Sequence, residues 1–533
     1  MNYLSRITLV LAAVVLLVTP MATQAQDRDN TLRVGLRQLT TIDPALGAND
    51  PEVMFNQLQY EYLIAINAAG NLEPQLATDW TVSEDGLTYT LNLREGVTFE
   101  DGSAFDAADV VFTFNRLVEV GSSIVGLLGQ EQVGEDDDGN AVFEPTWTVE
   151  AAADMTVVFT LNQPNADFLF GVASRFSMIL PEGIEDVNVI AEGDDPLVNF
   201  NGTGPFILTE FAVDERAVFE VNPDYWGDVA LGGITLEFFA DDQTQVNAIQ
   251  TGALDFIIKI PNDLIPTVAE ADGVTVVQKP TNTHPVIRLR TDPGSIGEDV
   301  RLRQAFKFAT DREIVNLDVL DGNGIVANND PIGPSYGVFY NPQENRAYDP
   351  EAACDLIAAV EADGTGNGFV EDGRVSVPFY IGDTFEYGDV GVVLQDLWAE
   401  ACIDVDLNVV PENVYYGDGE NTWLATQVGM TAWGTRPVPQ EYLSVAYVEG
   451  APFNEAQWAN AELAELAAEA SVTADTEARA EIYNQISAIF FEEGPIIIPY
   501  FRPVAGAFVD GVEGLDMHPF PGRTDFRTVS ISE

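Results

Sequence analysis

The stretch from Leu72 to Leu117, "LEPQLATDWTVSEDGLTYTLNLREGVTFEDGSAFDAADVVFTFNRL", decides the fold, because it passes from strands into a helix without a long linker. Turn signals at Asp85-Gly86 and Asp101-Gly102 predict two strands followed by a loop. Asp106 can cap a helix, and Asp109 follows three residues later as the capping-box partner. The apolar spacing after Asp106 then predicts an amphipathic helix, so the segment indicates mixed α and β structure.

The same mixture continues on both sides of this stretch. A half-buried strand is predicted from Thr31 to Leu39, and residues 231–292 give strand, helix and further strands, an α/β pattern. One long amphipathic helix is predicted over residues 299–320, and helix and strand alternate after Asp349. The 533 residues exceed what a single core supports, so at least two lobes are expected. The segment "TNTHP" from Thr281 to Pro285 is the candidate crossover, and an apolar strand near the carboxyl end returns the chain to the first lobe.

The composition excludes several classes of partner. Acidic residues outnumber basic ones by 86 to 23, which gives a net charge of -63. Such a surface repels nucleic acid and anionic lipid, and it stays hydrated where salt screens charge strongly. A saline habitat is therefore a hypothesis, and an ordinary acidic exported protein is the alternative.

The amino terminus reads as a signal peptide, residues 1–25, with Arg6, an apolar run to Val18 and small residues up to Ala25. The apolar run is short for a membrane span. No lipobox cysteine lies near the cleavage region, so we expect a periplasmic or extracellular protein without a lipid anchor. The two cysteines, Cys354 and Cys402, form a possible disulfide in such a compartment.

Several landmarks together resemble one family. The stretch from Leu72 to Leu117 resembles the solute-binding proteins of ABC importers, extracellular family 5, the oligopeptide, dipeptide and nickel class. Five further segments match that family in order: "GTGPF" (202–206), "NPDYWG" (222–227), "AIQTGALDF" (248–256), "VRLRQAFKFATDREIV" (300–315) and "AACDLIAAV" followed by "CIDVDL".

The resemblance implies a two-lobed periplasmic-binding-protein-like α/β fold, type II of the large cluster, with a hinge and an interlobe cleft. We expect lobe I to contain residues 27–280 and 497–533, with an extra subdomain at about 70–200, and lobe II to contain 281–496. The implied function is capture of a small ligand, peptide or peptide-like, and its delivery to a membrane permease and ATPase subunits by a monomer without cofactor or catalysis. An oligosaccharide or an anionic small molecule as ligand, a sensor-associated binding protein and a hydrolase remain the alternatives.

One departure from the family bears on the ligand. Peptide-binding members carry an aspartate three residues after a tryptophan, and it pairs with the peptide's amino group. Here Trp433 is followed by Arg436, which would repel an ammonium group and suits a carboxylate or phosphate. The alternative is that Arg436 pairs with a surface acid.

The candidate ligand-binding residues come from both lobes, and Tyr60 and Trp433 could equally be core packing. They are Gln38, Thr40 and Tyr60 from the first lobe, Trp433, Thr435 and Arg436 from the second, and Phe501 from the returning strand.

Other motifs are weaker. "GPSYG" (333–337) has the spacing of a hydrolase elbow but no strand before it, and residues 363–374 resemble a calcium loop whose last position is Arg374 instead of Glu. His284 and His518 have no partner at metal-ligand spacing, although His284 could face the ligand. Glu100 stands where many relatives have histidine, in a loop that we expect to be structural.

Overall fold

The computed structural model describes residues 30–135, 141–184, 187, 200–341, 346–417 and 419–532; the predicted signal peptide lies outside them. Most strands belong to one mixed sheet, and the rest form smaller sheets. The strands are β1 Thr31–Arg37, β2 Ile64–Ile66, β3 Leu72–Pro74, β4 Ala77–Val82, β5 Thr88–Leu93, β6 Gln130–Glu135, β7 Ala141–Pro145, β8 Trp147–Ala153, β9 Thr156–Leu161, β10 Phe206–Ala212, β11 Arg216–Val221, β12 Gly233–Phe239, β13 Phe256–Ile257, β14 Val274–Leu289, β15 Ile325–Val326, β16 Val370–Glu371, β17 Arg374–Gly382, β18 Ile403–Val410, β19 Val428–Trp433, β20 Ile496–Ile497, β21 Tyr500–Val509, β22 Val512–Glu513 and β23 Ser530–Ile531.

Helices cover the faces of these sheets, and several begin at a side-chain cap that the sequence predicts. Asp106 accepts a hydrogen bond from the backbone of Ala108, and Asp109 completes the capping box. The helices are α1 Asp50–Gln57, α2 Ala107–Glu119, α3 Val125–Leu128, α4 Phe168–Val172, α5 Asp242–Gln250, α6 Ile265–Ala269, α7 Val300–Phe308, α8 Arg312–Leu320, α9 Pro350–Asp363, α10 Tyr387–Glu400, α11 Glu412–Tyr415, α12 Pro439–Tyr442, α13 Ala461–Val472 and α14 Thr476–Glu492.

The largest sheet runs through both lobes. Its order is β10-β11-β12-β1-β13-β21-β14-β19-β17-β16. In the first half, β1 pairs in parallel with β12 and β13. In the second half, β17 pairs in parallel with β18 and β19. Each half of the sheet thus has its own parallel strands, as the expected two-lobed α/β fold requires.

Two long strands connect the lobes. The first part of β14 pairs with β21, and from His284 onward β14 pairs with β19 instead. The register shifts between Lys279 and Thr283, so the predicted crossover segment lies where the strand changes partner. β21 makes the return passage, because it pairs with β15 at Phe501 and with β13 at Ala507.

Separate hydrophobic cores support the division into lobes. One core packs around β1, β12 and β13, and another fills the four-stranded sheet β4-β5-β9-β8 against α2. The second lobe contains two more, one of which includes Ile497 and Tyr500 and the other Phe501. The lobe limits remain a prediction, and this packing favours a return to lobe I a few residues after 497.

The single helix predicted over residues 299–320 is wrong. The chain forms α7 and α8, which are separated at Ala309 to Asp311. Asp311 has extended backbone angles, and its carboxylate accepts hydrogen bonds from the backbone of Glu313 and Ile314. A cap of this strength starts a new helix inside a continuous apolar pattern.

The second lobe contains a disulfide between Cys354 in α9 and Cys402 after α10, whose Cα atoms lie 5.3 Å apart. A search of the described residues finds no helix with the length and apolar character that crossing a membrane requires.

Candidate functional site

The loop after β19 begins at Trp433, whose ring is only 5% exposed. Its indole nitrogen donates to the Glu455 carboxylate at 3.1 Å, and the ring packs edge-on against Tyr442 at 5.8 Å. Burial raises the pKa of Glu455 to about 7, although Arg288 and the hydrogen bonds from Thr431 and Trp433 oppose this. Trp433 is therefore a packed base in the second lobe instead of an open platform for a sugar ring.

Arg436 lies above this base. Its guanidinium carbon is 5.5 Å from the centre of the Trp433 ring, within range of a cation–π contact. The Arg436 backbone is fixed, because its amide donates to the Tyr442 hydroxyl and its carbonyl accepts from the Tyr336 hydroxyl. Arg436 Nε lies 3.5 Å from a Glu441 oxygen, and the side chain remains 33% exposed. Arg436 thus pairs with an acid, Glu441, and its one-third exposure leaves room for a second anion.

Thr435 connects this loop to the crossover. Its hydroxyl accepts a hydrogen bond from the Asn282 backbone amide at 3.0 Å. His284 is buried beside it, and its Nδ1 donates to the Asn282 carbonyl at 2.7 Å, since a carbonyl only accepts. Burial, with a smaller contribution from the charge of Arg436, lowers the pKa of His284 to about 4, although the hydrogen bond to Asn282 opposes this. The neutral ring therefore has Nε2 as an acceptor, and that atom is buried without a partner.

Phe501 belongs to the same hinge packing. Its ring contacts His284 at 5.4 Å, and its side chain is fully buried. Phe501 therefore fills the space where the two crossover strands pass each other, and its predicted ligand contact stays a prediction.

The first-lobe candidates lie at the carboxyl end of β1 and in the core. Gln38 is exposed, and the Thr40 hydroxyl donates to Glu52 in α1 at 2.6 Å. Tyr60 is buried in the core, with its ring 5.7 Å from Phe200. Its edge lines a cavity of about 260 Å³ within lobe I, whose wall also includes Arg523. Gln38 and Thr40 thus remain candidates for a surface contact, whereas Tyr60 could meet only a group that enters this cavity.

Sequence reasoning missed Arg175, which follows α4 in the first lobe. Its guanidinium carbon lies 4.9 Å from the centres of both the Phe176 and the Phe520 rings. Burial lowers the pKa of Arg175; the carboxylates of Asp50 and Glu441 oppose this, and the charges of Arg523 and Arg436 lower the pKa further. Glu441 and Arg436 belong to the second lobe, so charges of that lobe act on Arg175. A single basic residue outside every predicted element gave no signal of this placement.

A second contact between the lobes lies nearby. Arg479 in α14 forms an ion pair with Asp167 at 2.6 Å, and the two side chains are 4% and 2% exposed. The backbone amide of Ala166 donates to the Ser471 carbonyl at 2.9 Å. We call the region of Asp167, Arg175, Arg436, Glu441 and Arg479 the interlobe seam.

The structure thus brings Trp433, Thr435 and Arg436 together at the seam, with Phe501 buried behind them. A predicted two-lobed chain with a hinge and polar groups at the seam has the architecture of a ligand-binding protein, and the match to known proteins decides which one. The family model for bacterial extracellular solute-binding proteins, family 5, matches residues 71–454.

The chain belongs to this family.

Two curated relatives of this family 5 protein span most of its length. The dipeptide-binding protein of Escherichia coli (strain K12) is 26% identical over 474 residues, which cover 86% of this chain and 86% of that protein. Heme-binding protein A of Haemophilus influenzae is 28% identical over 479 residues, which cover 86% of this chain and 84% of that protein. The solved structure of HbpA2 from Haemophilus parasuis covers 94% of this chain and all of its own, with a TM-score of 0.78 at 24% identity, and it shows the same fold.

Family 5 proteins are the extracellular substrate-binding partners of ABC permeases and ATPases, so the expected family and fold are confirmed. The hydrolase-like motif and the calcium-like loop both make structural contacts in this solute-binding protein. Ser335 of "GPSYG" donates to the Pro280 carbonyl, and Asp363 of the calcium-like loop pairs with Arg301 at 2.7 Å. Among the described residues, no group of three or more His, Cys, Asp or Glu side chains is placed to hold a metal ion.

Glu100 and His518 are held by local hydrogen bonds in the first lobe. Gln59 donates to Glu100 at 2.7 Å, and burial raises the pKa of Glu100 to about 7. The His518 ring contacts the carbonyls of Phe520 and Asn67. Both residues support the fold of lobe I. Arg436 lies in the other lobe and far from both of them in the sequence.

Proposed function

We propose that this solute-binding protein is exported, acts as a monomer without catalysis, and captures a peptide-like ligand at the interlobe seam for delivery to its permease. The relative from Escherichia coli is named for dipeptides, which supports a peptide-like ligand. A cleft between two lobes can bury most of a small ligand, and a few polar groups fix its orientation.

The observation that carries the proposal is Arg436, which is fixed by its backbone and by Trp433 and remains one-third exposed. A guanidinium there attracts a carboxylate, so we infer that the ligand's anionic end lies at Arg436 and that its ammonium group lies elsewhere. Glu441 lies 3.5 Å from Arg436 and is already paired with that cation, so the ammonium group would bind at another acceptor.

The second candidate is an anionic small molecule such as a sugar acid or heme, and Arg436 favours it as well. The relative from Haemophilus influenzae is named for heme, which carries two carboxylates. An uncharged oligosaccharide is less well supported, because Trp433 is buried and its indole nitrogen is already bonded to Glu455. A sensor-associated role would leave the ligand chemistry unchanged.

A ligand screen tests the proposal. Tri- to pentapeptides, sugar acids, oligosaccharides and heme are added to the full mature chain in 2 M and 0.15 M salt, and unfolding is followed by fluorescence. A ligand at about 100 times its dissociation constant adds roughly 2.7 kcal/mol of stability.

The proposal expects peptides to raise the melting temperature. A rise with heme or sugar acids alone would replace the peptide by the second candidate, and a rise with neutral oligosaccharides alone would contradict both. A hydrolysis assay on the peptides that bind completes the test, since their cleavage would overturn the non-enzymatic role.

A further inference from the structure

We propose that a carboxylate of the ligand is held from both lobes at once, by Arg175 of the first lobe and Arg436 of the second. This inference rests on the proposed function, since it requires the ligand to lie between the lobes. It adds a residue that sequence patterns did not indicate, and it assigns a chemical class, a compound with a free carboxylate, to the interlobe seam.

The guanidinium of Arg175 is held in position without an acceptor among the described residues. The rings of Phe176 and Phe520 hold its guanidinium at 4.9 Å each, which restricts its freedom before any ligand binds. Its Nε is buried and has no hydrogen-bond partner, and no hydrogen bond or ion pair links the guanidinium to another described residue. A partly buried cation in this condition costs free energy unless an anion reaches it.

Other buried arginines of the chain differ from Arg175 in having acceptors. Arg479 has Asp167 at 2.6 Å, Arg303 donates to the Glu493 carbonyl at 2.7 Å, and Arg312 reaches the Asn329 amide oxygen. Each of these guanidinium groups has a protein acceptor. Arg175 differs from them although the chain carries 86 acidic residues.

The charged groups around Arg175 also favour the binding of an anion. Two carboxylates, Asp50 and Glu441, and two guanidinium groups, Arg523 and Arg436, are close enough to act on its charge. Both carboxylates have other contacts: Asp50 accepts from the Gly522 amide at 3.0 Å, and Glu441 lies beside Arg436. Among these described groups, three cations including Arg175 stand against two carboxylates, and one ligand carboxylate would balance them.

The chemistry selects a carboxylate. A guanidinium presents a planar fork that matches a carboxylate with two parallel hydrogen bonds. Two guanidinium groups on different lobes would also couple ligand binding to lobe closure, because only a bound carboxylate would contact both of them. An amide at the same position would leave Arg175 without an anion and Arg436 with Glu441 alone.

The test compares matched peptides on matched variants. Tri- and tetrapeptides are prepared as free acids, as carboxyl-terminal amides and as N-acetylated acids, and glucuronate and galacturonate serve as non-peptide acids. Dissociation constants are measured by calorimetry for the full mature chain and for R175Q, R175K and R436Q. R216Q is the control, because Arg216 pairs with Glu210 on the exposed surface of lobe I.

The proposal expects the free acids to bind wild type and R216Q at least about tenfold more tightly than the amides. It expects R175Q and R436Q each to lose that preference while their amide affinities stay similar, with R175K in between. Melting curves confirm that each variant is folded. A purely structural role of Arg175 would weaken acids and amides equally.

The other outcomes separate the two proposals. Peptides that bind with equal affinity as acids and amides would overturn the two-arginine site and leave the proposed function standing. Sugar acids that bind alone and depend on Arg175 would overturn the peptide ligand and support the site. No binding of either class to wild type would overturn both.

Discussion

Two arginines meet the opposite lobe at the interlobe seam, and their surroundings differ. Arg479 reaches Asp167 of the first lobe at 2.6 Å, with both side chains nearly removed from water. The charges of Glu441 and Arg436 in the second lobe act on Arg175, and among the described residues its guanidinium is held by aromatic rings. Arg479 is thus neutralised by a carboxylate of the protein itself, whereas Arg175 remains available to an anionic ligand.

The difference shows that burial and pairing have separate consequences. A buried ion pair repays part of its desolvation only while both partners are present. A buried unpaired cation lowers stability until an anion binds, so the same residue type can hold lobes together or prepare a site. The predictions below separate these roles, starting with the largest effect.

Removing Arg479 should have the largest effect. R479M leaves the Asp167 carboxylate buried without its cation, which should cost about 3 kcal/mol of unfolding free energy. Denaturant unfolding measures this, with R216M as the control because its ion pair with Glu210 is about half exposed. If R479M lost no more stability than R216M, the Asp167 pair would not stabilise the contact between the lobes.

The pH dependence of Glu100 extends the comparison to a carboxyl group without a cation. Burial raises its pKa to about 7, above the ordinary value near 4.5, so the folded protein retains the proton more strongly than the unfolded chain. This contribution is complete below about pH 4.5 and is lost as the pH rises through 7, by about 2 kcal/mol allowing for partial exposure.

E100Q should therefore flatten the stability profile between pH 4.5 and 7. The measurement is the free energy of unfolding at several pH values for wild type and E100Q. An unchanged slope in E100Q would show that Glu100 titrates normally in the folded chain.

Removing Arg175 should have the opposite sign from removing Arg479. R175M takes away a partly buried cation that has no hydrogen-bonded or ionic partner among the described residues, and it keeps the apolar contact with the rings. The ligand-free protein should therefore lose no stability and gain up to about 1 kcal/mol. Thermal unfolding of ligand-free R175M and wild type measures this. A loss as large as that of R479M would mean that Arg175 has a structural partner.

Salt gives the smallest expected difference. Raising salt from 0.1 to 2 M should stabilise the whole chain, because screening relieves repulsion in a protein with a net charge of -63. The deficit of R479M relative to wild type should change by less than about 1 kcal/mol, since a buried pair is screened little. A deficit that disappears in 2 M salt would indicate that the pair is accessible to ions.

Local patterns predicted much of the fold. The cap at Asp106, the turns around β5 and the crossover near Thr283 follow from residue types at fixed spacing. The division of α7 from α8 was missed, because the apolar periodicity continues through Asp311 and hides its cap.

The site was less predictable for a physical reason. Trp433 and Arg436 carry a family motif, so a sequence comparison locates them, but the burial of Trp433 depends on Tyr442 and Glu455, which approach it only in the folded chain. Arg175 becomes notable only because its guanidinium has no acceptor in the part of the chain that the structure describes. Such a property depends on every surrounding element and leaves no pattern in the sequence.

The most direct test of the account measures the distance between the lobes. Spin labels are placed on two exposed residues, Glu215 in lobe I and Glu420 in lobe II, and electron paramagnetic resonance measures the distance between them. The native cysteines are bonded to each other, so they do not compete for a thiol-specific label. The account predicts that a free-acid ligand shortens and narrows the distance in wild type, and that its amide, or the acid added to R175Q at saturation, does so less. Equal shortening by acid and amide in both proteins would contradict the claim that an unpaired arginine at the seam awaits a ligand carboxylate.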